Sequence, residues 1–199
     1  MAILFEMLPS SVNVGGREYV VNTDFRCMAK FEQDMLTSDR GDKHTLNRIM
    51  LTALVDFYQK NIPPETNEAI EQMWWFYRCG EDFESKTNTA GTRNFKRLYD
   101  YDIDGALIIS AFADTYGIDL VNDGLHWWLF RSYFVGLGEN TRFVQIMSYR
   151  GVDLKEFKGE MRKTYAKLQK KYALPIIKQT PLSPEERDEQ FKRRLFGKR

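Results

Sequence analysis

The sequence predicts a mainly α-helical fold with a small N-terminal β-hairpin, in one helical domain followed by a basic C-terminal extension. Two observations carry that prediction. Apolar residues recur at three- and four-residue spacing through most of the 199-residue chain. Strand-like alternation, by contrast, occurs only around Gly15-Gly16.

In Ser11-Val-Asn-Val14, Gly15-Gly16, Arg17-Glu-Tyr-Val-Val21, the glycines supply the positive φ of a tight turn between β-branched and aromatic flanks. An isolated hairpin is marginal in water, so it must pack on the helices that follow. Asn22-Thr23-Asp24 offers N-caps for a helix to about Leu36. Ser38 to Lys43 reads as a polar loop. Thr45 then caps a helix striped with Leu46, Ile49, Met50, Ala53, Leu54 and Phe57, stopped by Pro63-Pro64. Thr66 opens a third helix carrying Ile70, Met73, Trp74 and Tyr77. Gly80 to Arg97 is polar and unusually long for a connection in a compact domain.

A helix from about Asp102 to Tyr116, closed by Gly117, is apolar almost all round and is expected to be the buried centre. Beyond the turn at Asn122-Asp-Gly124 comes an aromatic helix, about Leu125 to Leu137, with Trp127, Phe130, Phe134 and Leu137 on one face. Asn140-Thr141 caps a short helix ending near Arg150-Gly151. Asp153 is expected to cap one long last helix, with Leu154, Phe157, Met161, Leu168 and Tyr172 at near-heptad spacing. Pro175, Pro181 and Pro184 favour extended chain before a short charged helix, Glu185 to Phe196. The expected division is residues 1–172 as the domain and 173–199 as the extension.

Charge separates the same two parts. The total of 29 Lys and Arg against 28 Asp and Glu gives +1. Residues 1–154 hold 15 against 22, net −7, and residues 155–199 hold 14 against 6, net +8. The balanced total excludes a polycationic nucleic-acid binder and a disordered acidic chain. No apolar run reaches the roughly 18 residues of a membrane span. The N-terminus lacks a basic signal-peptide region, and Cys27 and Cys79 are too few for a disulfide framework, which points to a reducing cytoplasm.

The sequence carries no enzyme signature. Asp100-Tyr-Asp102-Ile-Asp104-Gly105 matches half of a calcium loop, but its twelfth position is Ala111, and capping of the following helix explains the acids better. His44, His126, Cys27 and Cys79 lack zinc spacing. Cys27 reads as a buried thiol and His126 as a hydrogen-bonded core histidine. Gly136-Leu-Gly138 is too short for a phosphate loop, and Glu81-Asp82 lacks an apolar wall to raise a pKa. The basic residues Lys167, Lys170, Lys171, Lys192, Arg193 and Arg194 fit nucleic acid, an acidic protein surface, a second copy's acidic body, or a merely solvated face.

Three runs together carry a resemblance: Leu8-Pro-Ser-Ser-Val-Asn-Val-Gly-Gly-Arg-Glu-Tyr-Val-Val-Asn-Thr-Asp-Phe-Arg26; Tyr99-Asp-Tyr-Asp102 leading to Tyr116-Gly-Ile-Asp-Leu120; and Leu125-His-Trp-Trp-Leu-Phe-Arg131 leading to Phe143 and Ile146-Met-Ser-Tyr-Arg150. Over about residues 8–173 the chain resembles the bacteriophage "gene product fifteen" family of siphophage tail-morphogenesis proteins. The resemblance implies a non-enzymatic protein of the host cytoplasm, encoded between the major tail protein and the tape measure, the place of tail assembly chaperones. It implies no catalytic residue, metal or cofactor. The expected partners are the tape-measure protein and other tail proteins, with self-association open, no membrane, and nucleic acid ranked below protein. A structural component of the finished tail is the alternative, as is a nucleic-acid-binding module using the basic C-terminus. Candidate partner-binding residues are the aromatics off the main core faces, Trp75, Trp128, Tyr133 and Tyr149, with the six basic residues above.

Overall fold

The two glycines set the hairpin: at φ of 58° and 73°, Gly15 and Gly16 turn β1 (Ser11–Val14) antiparallel onto β2 (Arg17–Val20), pairing Val14 with Arg17. The computed structural model describes residues 6–39, 41–81 and 96–177. Val12 and Val14 are buried, and Glu68 accepts a 2.9 Å bond from the Gly15 N–H, so the hairpin is pinned to a helix as its marginal intrinsic stability requires.

Seven α-helices follow among the described residues: α1 (Phe25–Thr37), α2 (Lys43–Phe57), α3 (Thr66–Tyr77), α4 (Tyr101–Tyr116), α5 (Trp127–Val135), α6 (Arg142–Gly151) and α7 (Gly159–Lys171). The mainly α fold with its N-terminal hairpin is therefore as the sequence predicts. Helix α1 packs against α2, α4 and α5, while α6 bridges α4 to α7.

Several boundaries differ from expectation. Asp42, not Thr45, caps α2, accepting from the His44 and Thr45 N–H groups. That helix ends at Phe57, well before Pro63, because Gln59 and Lys60 take left-handed φ of 50° and 70° and Lys60 N–H closes onto Val55 O. Asp153 caps only a 3₁₀ turn, Leu154–Glu156; the chain is extended at Phe157 and Lys158, and α7 starts afresh at Gly159, φ 58°. The single heptad-spaced helix is thus broken, and Met161 is 58% exposed. Helix α4 is not buried all round: it buries Asp104, Ile108, Ala111 and Phe112 and exposes Ile103 (52%) and Ile109 (39%). The expected short helix Glu185 to Phe196 and most of the polar connection lie outside the described residues.

His126 fixes the entry to α5. Its Nδ1 accepts from Trp128 N–H (3.1 Å), so its Nε2–H donates to Pro9 O (3.0 Å). The segments before α1 and α5 are joined by Phe25 N–H to Leu125 O and Trp127 N–H to Thr23 O. Burial outweighs the Pro9 bond and lowers the His126 pKa below its usual 6.5. Folding therefore favours the neutral ring. The stability it contributes is full above the unfolded value and is lost as pH falls from 6.5 through the lowered folded value. The melting temperature is expected to drop between about pH 7 and pH 5, and His126→Asn, which keeps a capping side chain, is expected to flatten that drop. A profile unchanged by the substitution would assign the drop to other groups.

Candidate partner-binding surface

The four aromatics singled out in the sequence do not form one surface. Trp128 is 1% exposed, and its indole N–H donates to Phe76 O at 2.8 Å. It belongs to the core, which corrects its assignment to a binding face. Its ring lies edge-on to Trp75, 5.5 Å away, and Trp75 is half-buried on α3. Tyr133 packs on Tyr116 from α5, while Tyr149 stacks on Tyr172 at the α6–α7 junction. Lys167, Lys170 and Lys171 are exposed along α7. Arg142 and Lys171 both lie over the Tyr172 ring, at 5.3 and 5.2 Å, so the aromatic nearest this basic stretch is already engaged. Lys192, Arg193 and Arg194 lie outside the described residues.

The acidic run is used internally. Asp100 caps α4, accepting from the Asp102 and Ile103 N–H groups. Asp104 is buried in a bidentate pair with Arg150, at 2.6 and 2.9 Å. Alongside it, Glu32 of α1 accepts from the hydroxyls of Tyr99 (2.8 Å) and Tyr101 (2.9 Å). Burial, and then the Glu32 charge, push both phenols above their usual pKa and keep them donors. These bonds fasten the start of α4 to α1. Burial likewise pushes the Cys27 thiol up to about 12 and the Cys79 thiol to about 11, so both stay protonated at neutral pH. No group of three metal-ligating side chains and no helix long and apolar enough to cross a membrane occurs among the described residues.

One site missed from the sequence does have the form of a docking groove. It runs between α1 and α4, with a volume of about 450 Å³. Phe25 and Ala29 of α1, Ile108 of α4, Leu120 of the α4–α5 connection and Phe130 of α5 make an apolar floor. Beneath it the rings of Phe25, Phe130 and Phe112 stack in sequence, at 4.5 and 5.2 Å between centroids. Stacked pairs of this kind contribute about 0.5–1.5 kcal/mol each beyond their buried area. Arg26, Lys30, Asp34 and Asp102 stand at the rim, and exposed Ile109 flanks it.

Arg26 is held by Asp24 (2.8 Å) and by the carbonyls of Leu120 and Val121, and Lys30 by Asp34 (3.0 Å). Asp56 and Asp102 add to the negative field at Lys30. The charged lining of the groove is therefore balanced, Asp34 and Asp102 against Arg26 and Lys30, with both cations already paired.

Gly105 lines the groove from the interior of α4, and a Cβ built on it meets nothing within 4 Å. Glycine within a helix costs about 1 kcal/mol relative to alanine. Gly105→Ala is accordingly expected to raise stability by about 0.5–1 kcal/mol, measured by urea denaturation. A destabilised variant would show that the position tolerates no side chain.

No curated protein and no solved structure matches the chain. Residues 4–174, which include the hairpin, all seven helices and the groove, match the family described as Bacteriophage Gp15 protein, and the chain belongs to that family.

Proposed function

We propose that this protein is a tail-assembly chaperone that receives apolar helical segments of the tape-measure protein in the α1–α4 groove. The observation that supports the reading is the groove itself: a largely apolar floor between two helices, lined also by Gln33 and Tyr101, with charged groups at the rim. That is the form in which an amphipathic helix is received, its i, i+3, i+4 anchors on the floor and its polar face outward. A long, helix-rich apolar chain aggregates unless such surfaces are covered while it waits to assemble.

Co-expression tests the proposal. With this protein present, the tape-measure protein is expected to become more soluble and to co-purify with it. Unchanged solubility and no co-purification would overturn the reading, and stoichiometric recovery of this protein in purified virions would replace it with a structural role in the tail. Gly105→Leu, which projects a side chain into the groove from open space, is expected to lower the co-purified amount at least about tenfold, roughly the loss of 1.4 kcal/mol of binding, with the melting temperature unchanged or raised. Full retention of the partner by this folded variant would remove the groove from the interface.

A further inference from the structure

We infer that the outer edge of β2 is a self-pairing surface, along which two copies of this chain join antiparallel into one sheet, β1-β2 of each. The pairing stands whether or not the α1–α4 groove takes the tape-measure protein.

The first ground is where the backbone groups of β2 point. Val14 and Arg17 flank a two-residue turn, so they form a hydrogen-bonded pair. Such pairs alternate along an antiparallel ladder, which makes Val12–Tyr19 and then Ser10–Val21 the next. The Val21 N–H does donate to Ser10 O, at 3.0 Å. The N–H and C=O of Glu18 and of Val20 therefore point away from β1. Among the described residues none of these groups has a hydrogen-bond partner. β1 is the strand seated on α3, which leaves β2 as the outer strand.

The second ground is that this edge is unguarded. Sheet edges are ordinarily blunted by lysine, proline, a bulge or a covering element. The β1–β2 register runs without a bulge from Ser11↔Val20 to Val14↔Arg17, and β2 holds neither lysine nor proline. Its one acid is turned away: Ser11 Oγ donates to Glu18, drawing the carboxylate back across the hairpin. Val20, apolar and β-branched, is 70% exposed.

The third ground selects the occupant and its register. A row of unpaired N–H and C=O groups takes an extended strand, not a helix. Among the described residues, the strand edge that offers the same spacing of free groups is β2 itself. Glu18 opposite Glu18 would set like charges against each other. Val20 opposite Val20 would bring Glu18 to Asn22, whose N–H is already given to Phe57 O at 2.8 Å. Glu18 opposite Val20 avoids both. Each such pair exchanges both of its bonds, and the two-fold axis then sets Tyr19 against its own copy, a favourable aromatic pair. The contact is isologous and closes at two copies. So short a strand makes the pairing concentration-dependent rather than obligate.

Mixed-chain disulfide formation tests the register. Glu18→Cys and Val20→Cys proteins, mixed and oxidised, are expected to give a covalent dimer severalfold faster than either variant alone. Only the mixed pair sits directly opposite, about 5.5 Å apart at Cα, within disulfide reach. Equal rates, or no dimer beyond that of the unsubstituted chain, would overturn the inference.

In a second arm, sedimentation of the unchanged protein is expected to show a monomer–dimer equilibrium that Val20→Pro shifts severalfold toward monomer. Proline removes an N–H that β1 does not use, at an edge where proline is tolerated, so the melting temperature is expected to hold. A monomer at every concentration would overturn the inference, as would a dimer indifferent to Val20→Pro. So would exchange protection of the Glu18 and Val20 amides that arises only when another protein is added, since the occupant would then be a foreign strand. Neither arm contains the tape-measure protein, so the self-pairing and the chaperone reading fail separately.

Discussion

Asp104→Ala is expected to cost about 3–5 kcal/mol of folding stability, the usual result of removing one partner from a buried ion pair. Asp104 is 2% exposed and Arg150 5%, so water cannot replace the lost carboxylate. Three interactions depend on it. Both guanidinium bonds end on Asp104, and Oδ2 also accepts from the Asp100 N–H at 3.0 Å. The remaining bonds of Arg150, to Leu98 O (2.9 Å) and Tyr172 O (2.6 Å), show what the pair organises: the lead into α4, helix α6 and the chain leaving α7. With total stability ordinarily about 5–15 kcal/mol, this one change can bring the protein near its unfolding midpoint. Urea denaturation measures it. Asp104→Asn, which can still accept from the Asp100 N–H, is expected to cost less. The double variant Asp104→Ala/Arg150→Ala is expected to cost about 1–3 kcal/mol less than the sum of the singles, since the two side chains interact directly. Additive singles of under about 1 kcal/mol each would show that the pair is dispensable.

That pair also marks how far the sequence could be read. The capping role of Asp100 is legible because a cap is local: an acid stands just before an apolar-periodic run. The role of Asp104 is not, because its partner follows 46 residues later on another helix, and no spacing rule connects them. The same holds for the groove, whose floor draws on α1, α4 and α5. Its one local trace is Gly105, a glycine inside an otherwise strong helix, which the half-matched calcium loop made easy to misread. Helix existence followed from periodicity, whereas helix ends did not wherever the stop was unusual. Gln59 and Lys60 leave α2 in left-handed conformations that neither residue type announces. Gly159 does announce a break, but the recurring Leu154, Phe157 and Met161 mask it. Helix α4 exposes apolar side chains because apolar composition reports what a face can bury, not what covers it.

Trp128→Ala is expected to cost about 3–5 kcal/mol as well, and the result separates a core residue from a partner-binding one. Adjacent helical positions point about 100° apart, so Trp127 and Trp128 cannot share one face; ordinarily one of the two would lie outside. Here both are buried, because α5 is seated against the end of α3. Trp127 donates to Tyr77 O at 2.9 Å and Trp128 to Phe76 O at 2.8 Å. Helix ends leave carbonyls without intrahelical donors, and these two indoles meet that need while filling the space around Trp75 and Phe76. Truncation to alanine removes both the ring packing and the donor. Trp128→Phe keeps much of the volume and loses only the donor; Phe76 O retains a bond from Cys79 N–H, so its cost is expected to be about 1–2 kcal/mol. An exposed tryptophan would instead change stability by no more than about 0.5 kcal/mol on truncation. Chemical denaturation distinguishes these outcomes. If Trp128→Ala leaves stability within that range and abolishes partner capture, Trp128 faces the partner and the core described for α5 is wrong. A loss of several kcal/mol places the indole between α3 and α5, in the core rather than on a partner-binding face.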